Sequence, residues 1–254
     1  MRAIAILAVT VAAAGSILVA TRISDVAGPP ARPSSAVVEN EVSGLLRGIP
    51  QSGNTLGQPS APITLQMFGD LESSDVRTFV LWLLPHIIQE WVRTNIVKIQ
   101  YRSSMTASSP YPNVFVRQED AALAAGAQAR LWNFIETFYH EQGQEHTRYV
   151  TEAYLADIAR QVPGLDLSEW EGAREDRRLT GQVAEDVHTA KAVQFPDAPI
   201  FLIGRTGGKL VPWPGYRLYQ EPGLKRGFIR LPAHPVSFIT SKTLKRIIER
   251  LLQD

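Results

Sequence analysis

Residues 56–79 read LGQPSAPITLQMFGDLESSDVRTF, and this stretch decides the fold. Ile63, Leu65 and Met67 alternate with Thr64 and Gln66, the period of two that a strand shows when its faces differ. The alternation ends at Phe68-Gly69-Asp70, and then the period changes. Val76, Phe79, Val80, Leu83, Leu84, Ile87, Ile88 and Trp91 recur at helical spacing, so they share one apolar stripe. Ser73, Ser74 and Asp75 stand where that helix starts, and their side-chain oxygens can accept from its free N–H groups. Pro85 falls inside the run, where a missing N–H and a ring clash predict a bend.

Working outward, residues 96–101 (IVKIQY) alternate again and predict a second strand. Strand, helix and strand joined by short links predict a parallel βαβ unit. Residues 116–192 read as helical, with Ala121, Ala124, Ala127, Leu131, Phe134, Ile135 and Phe138 along one long helix and Pro163-Gly164 as a later break. Residues 199–203 form a compact apolar strand, 204–208 a turn and 209–212 a return strand, which together predict a hairpin. A closing helix carries Leu244, Ile247, Ile248, Leu251 and Leu252 on one side and a solvated cationic face on the other. Nearer the start, residues 42–49 read as a short strand and 50–57 (PQSGNTLG) as a turn. The fold class is α/β.

Met1-Arg2 precedes an uncharged, Ala-rich run over residues 3–20. That pattern fits a secretory signal peptide or an N-terminal membrane anchor, assigned to residues 1–22. Residues 23–41, with GPPARPSS at 28–35, read as a Pro-rich tether, and 42–254 as the folded domain. The expected location is extracytoplasmic, either membrane-anchored or secreted. A net charge of +1 leaves no basic surplus for a phosphate backbone, so no nucleic-acid partner is expected. The count of cysteines is 0, which removes disulfides, thiolate metal sites and cysteine nucleophiles together.

The quoted segment resembles the opening of the DsbA-like thioredoxin-fold family, where an Ala-Pro-hydrophobic strand runs into Phe-x-Asp and then Cys-x-x-Cys at a helix start. On that pattern Asp70 matches the family's aspartate, Ser73 takes the place of the first cysteine and Val76 that of the second. The former redox motif is thus Ser73-Ser74-Asp75-Val76. Ala198-Pro199 before IFLIG resembles the family's cis-proline loop, and AALAAGAQARLWNFIETFYHEQG resembles the start of its inserted helical domain. The resemblance implies a thioredoxin-like fold with a helical insertion over about 116–192. It also implies that the defining chemistry is lost. A serine at that helix start stays protonated and has no sulfur to form a mixed disulfide, and valine cannot resolve one.

The leading expectation is a non-catalytic polypeptide-binding or scaffold module, without cofactor or metal. Its expected groove involves Phe68, Asp70, Ala198 and Pro199 beside the former motif, with Trp213 as an apolar neighbour. The expected partner is a polypeptide or an envelope protein. Two alternatives stand beside it: a thiol-independent enzyme reusing the helix N-terminus at Ser73, and a structural subunit of an envelope complex. Asp70, Glu72 and Asp75 are expected to cap and to be solvated. The segment HEQGQEH (140–146) lacks zincin spacing, and residues six apart do not share a helix face. Gly204, Gly207 and Gly208 precede a strand rather than a helix, so they do not form a phosphate-cradling loop.

Overall fold

The computed structural model describes residues 34–193, 199–213 and 235–253, the side chains of 235–242 excepted. Expectations for residues 1–33, for Ala198 and for 214–234 lie outside the described residues. Among the described residues no helix is long and apolar enough to cross a membrane.

The deciding segment folds as read. Strand β3 (Ile63–Gly69) is followed by a helical passage from Ser74 to Val92, and β4 (Val97–Ser103) then pairs with β3 in parallel. Around these lie the short β1 (Gln51–Ser52), β2 (Thr55–Leu56), β5 (Ile200–Arg205) and β6 (Val211–Pro212), giving a sheet of order β1-β2-β4-β3-β5-β6. Every other neighbouring pair is antiparallel. The β5–β6 hairpin falls where the glycine-rich turn predicted it, and Gly207 there has a φ of 80°.

The helical passage is α2 (Ser74–Thr78), a π-helical stretch Phe79–Leu83, α3 (Leu84–Ile87) and a second π-helical stretch Ile88–Val92. Pro85 therefore sits between two places where the hydrogen-bond ladder widens, the local form that its bend takes. All eight residues of the predicted stripe are buried against the sheet and the helical block. β4 alternates as expected, with Val97, Ile99, Tyr101 and Ser103 inward. In β3 only Gln66 is not fully buried, because this strand lies mid-sheet with both faces covered. Phe68 faces a second, smaller core with Ala190, Ile200 and Leu202.

The helical insertion is α4 (Pro112–Ala127), α5 (Leu131–Glu141), α6 (Glu152–Arg160), α7 (Leu167–Ala173) and α8 (Arg177–Ala192). It begins at Pro112, a residue suited to a first helical turn and four positions before the expected start. The single long helix expected through Phe138 is in fact two. Ala129 adopts a φ of 57° and Arg130 N–H donates to Ala125 O at 2.9 Å, which closes α4 and redirects the chain into α5. Ala121, Ala124, Leu131, Phe134, Ile135 and Phe138 are nonetheless buried, since α4 and α5 face the same core, whereas Ala127 at the break is exposed.

The N-terminal reading needs the larger correction. α1 (Ser35–Leu46) is a helix, so the tether does not reach residue 41 and 42–49 is not a strand. Val38, Val42 and Leu46, spaced one helical turn apart, are buried in the main core. Arg93 closes the helix by donating to the carbonyls of Gly44, Leu45 and Arg47 at 3.4, 2.8 and 3.0 Å. α9 (Pro235–Gln253) packs through Leu244 and Ile248, while Leu252 is exposed rather than part of its inner face.

Candidate functional site

The former motif lies where β3 hands over to α2. Ser73 is the N-cap: its backbone is extended, and its Oγ accepts from the Val76 N–H at 3.3 Å. Ser73 is only 6 % exposed and Val76 is fully buried, so the two positions of the motif face inward. Among the described residues no basic side chain is hydrogen-bonded to this hydroxyl, which caps the helix.

Register brings the start of β5 to this point. β3 and β5 pair antiparallel with Phe68 opposite Ile200, so Pro199 is the residue that precedes the last pair, as Gly69 is the one that follows it on β3. Pro199 itself is buried. Gly69 has little room for a side chain, since an added Cβ would lie 3.1 Å from Val76 Cγ1 and 3.2 Å from the Tyr101 ring. Trp213 packs in a tilted arrangement on Phe201 at 5.2 Å between centroids, and Phe201 likewise on Phe79 at 4.6 Å, which ties the β5–β6 hairpin to the helical passage.

Asp75 lies half-buried in the first turn of α2, but the other two acidic residues do not behave as expected. Asp70 and Glu72 are fully buried, not solvated, and neither Asp70 nor Phe68 presents its side chain to a surface groove. Asp70 accepts from Glu72 N–H (3.0 Å), Thr106 N–H (2.9 Å), Ser108 N–H (2.8 Å), Ser108 Oγ (2.6 Å) and Gln118 Nε2 (3.0 Å). It thus fastens residues 104–111 and α4 beneath the helix start. Below it Glu119 accepts from Tyr101 Oη and Ser103 Oγ, both at 2.9 Å, and from Leu71 N–H at 3.3 Å. Burial, reinforced by the charge of Asp70, pushes the Glu119 carboxyl well above the ordinary range. Burial also raises Glu72, with Asp70 and Glu145 adding to it and Ser108 and His146 opposing. Phe68 carries the Arg102 guanidinium over its ring at 5.7 Å, and Arg102 in turn pairs with buried Asp186 of α8.

Two residues unforeseen in the sequence complete the site. Gln142 Nε2 donates to Leu71 O at 2.7 Å and Ser73 O at 3.2 Å, and Glu145 Oε1 accepts from Ser74 N–H. Both come from the loop after α5, inside the segment weighed above only for metal binding. His146 Nε2 lies 3.9 Å from Glu145 Oε2. Among the described residues no group of His, Asp and Glu is arranged to hold a metal ion.

No protein-family model matches the chain. Two curated proteins, each described as a probable disulfide bond formation protein D, from Bacillus anthracis and Bacillus cereus, are 22 % identical over 152 and 153 residues. Those matches cover 57 % of this chain and 66 % and 67 % of the relatives' own lengths. Among solved structures, oxidised BdbD from Bacillus subtilis superposes with a TM-score of 0.58 at 16 % identity, covering 81 % of this chain and 97 % of that one. α-DsbA1 of Wolbachia pipientis gives 0.54 at 14 % identity, with 81 % and 92 % covered. A thioredoxin-like oxidoreductase from Silicibacter pomeroyi DSS-3 gives 0.52 at 20 %, with 82 % and 97 % covered. With its mixed sheet, parallel βαβ start, helical insertion and serine-capped helix at the motif position, this chain has the thioredoxin-like fold of the DsbA-like structures and contains no cysteine.

Proposed function

We propose that the protein is a redox-inactive, extracytoplasmic polypeptide-binding or scaffold module built on the DsbA-like fold. The observation that carries the reading is the state of the motif itself. Ser73 is a buried cap and Val76 a core residue, so the fold's helix start is kept as structure while its electron-carrying atoms are absent. Thiol–disulfide exchange needs a thiolate to attack a sulfur, and this chain supplies none. The pairing of Ile200 with Phe68 keeps a proline-preceded strand end near the helix start, a setting in which an extended peptide can pair with backbone groups. Membrane attachment or secretion follows from the apolar N-terminal run, and the partner is an unfolded or extended segment of an envelope protein. A Ser73-based hydrolase is disfavoured because the Ser73 hydroxyl is engaged by Val76 N–H.

Titration of the isotope-labelled protein with extended, unfolded peptides tests the proposal. Amide signals of residues 71–76 and of Ile200 are expected to shift saturably. Peptides that leave those signals unmoved, or that move only distant ones, defeat it.

A further inference from the structure

The loop joining α5 to α6, residues 142–151, reaches across to the helix start and takes up its backbone groups with side chains. Gln142 Nε2 binds the carbonyls of Leu71 and Ser73, and the Glu145 carboxylate binds the Ser74 N–H. While the N–H groups of Leu71, Glu72 and Ser73 are held by Glu119 and Asp70, the carbonyls of Leu71 and Ser73 and the N–H of Ser74 are therefore bound from one loop. These are the groups that an extended peptide laid beside the motif would use.

The loop is held there under tension. His146 and Arg148 adopt φ values of 64° and 57°, two of the four left-handed non-glycine residues among the described residues. The strained turn is kept closed by Thr147 Oγ1 donating to Gln144 O at 2.7 Å and by the Arg148 guanidinium 4.4 Å over the Tyr111 ring. Gly143 permits the tight path, because a Cβ there would meet the Tyr149 ring at 2.7 Å. The root of the loop is fixed: Arg77 Nε donates to Tyr139 O at 2.7 Å, and Tyr139 Oη to Asp70 O at 3.2 Å. Beyond the turn the chain is anchored again, by Val150 in the main core, by Tyr149 against Phe138 and by Arg117 Nη2 donating to Val150 O at 3.1 Å. The strained residues 143–148 thus form a short span between two fixed ends, the kind of element that can exchange a closed for an open arrangement.

We propose that residues 142–148 form an autoinhibitory strap, whose Gln142 and Glu145 side chains occupy backbone groups at the start of the former motif and compete with an incoming polypeptide. Its meaning as regulation rests on the peptide-binding reading above, whereas the closure itself is measurable without any peptide.

Because the chain has no cysteine, Ser73→Cys introduces a sole thiol reporter. Its alkylation by iodoacetamide, at a pH where the thiol is fully ionised, reads access alone. Adding Gln142→Ala and Glu145→Ala is expected to raise that limiting rate at least about tenfold. Equal rates overturn the strap. Should the cysteine variant fold poorly, hydrogen exchange of the Ser74 amide in the otherwise native chain replaces it. Protection is expected to fall at least about tenfold in Gln142→Ala/Glu145→Ala, and unchanged protection overturns the proposal. In the peptide titration the same pair of substitutions is expected to tighten binding about fivefold or more. Unchanged or weaker binding overturns the inhibitory role. Faster alkylation with no peptide bound by either protein supports the closure and rejects the binding reading.

Discussion

Ser108 grips both oxygens of Asp70: its hydroxyl donates to Oδ1 at 2.6 Å and its amide N–H to Oδ2 at 2.8 Å, with neither residue exposed to solvent. This carboxylate is the pin of the site. Replacing it with Asp70→Ala leaves the N–H groups of Thr106 and Ser108 buried without acceptors. The expected loss of stability is about 3–5 kcal/mol, against about 1–3 kcal/mol for Asp70→Asn, which keeps one carbonyl oxygen. Urea unfolding at neutral pH measures both, and a cost below about 1 kcal/mol for the alanine variant contradicts the assignment.

Glu136 sets a pH dependence. Burial alone, with no counter-charge, pushes its carboxyl from 4.5 to about 8. Below pH 4.5 both folded and unfolded chains hold the proton. As pH rises from there towards 8, only the unfolded chain ionises, so stability declines, and above 8 the decline stops. The ceiling on this effect is about 5 kcal/mol. Glu136→Gln is expected to flatten the profile in that window and to raise stability most at pH 8 and above. Glu119 acts in the same direction, so some slope persists. A variant whose pH profile parallels the parent chain rules the explanation out.

Restoring the sulfur atoms probes the motif. Ser73 and Val76 share the first turn of the helical passage, with Ser73 Oγ 3.3 Å from Val76 N. Ser73→Cys/Val76→Cys is expected to close an intramolecular disulfide in a glutathione buffer. It is also expected to speed oxidative refolding of reduced ribonuclease at least about fivefold over the parent chain, which stays at the uncatalysed rate. Catalysis by the parent chain itself counts against the functional reading.

α1 is an integral part of the domain. Val42→Asp places an unpaired charge in the main core and is expected to cost about 3 kcal/mol. Arg93→Ala frees three carbonyls near solvent at a cost of about 1 kcal/mol. Removing residues 1–46 is expected to lower the melting temperature by well over what the Arg93 variant does. Chains that melt alike with and without this segment refute the packing.

The βαβ start, the hairpin and the closing helix were legible because their apolar spacing is local and matches how each element is buried. All eight stripe positions between Val76 and Trp91 lie in the core. α1 was obscured by the prolines before it, although Val38, Val42 and Leu46 have helical spacing. The break at Ala129 carries no local signal, since alanine favours continuing a helix and the tertiary path overrides it. Burial of Asp70 and Glu72 was hidden because their partners come from residues 104–118, far along the chain. Gln142 and Glu145 were missed for the same reason: they contact residues about 70 positions away, and nothing in HEQGQEH announces a bond to a backbone amide. Glu119 alone left a trace, as an acid on the apolar side of α4 between Phe115 and Ala122.

Among the described residues the outermost strands β1 and β6 are each two residues long, and β6 ends in Pro212, which has no N–H to offer. Neither of these strands gives another copy a long edge to pair with in ribbon fashion. Such a chain can be crowded against its neighbours without nucleating fibrils from these margins, a safeguard it possesses without any covalent crosslink.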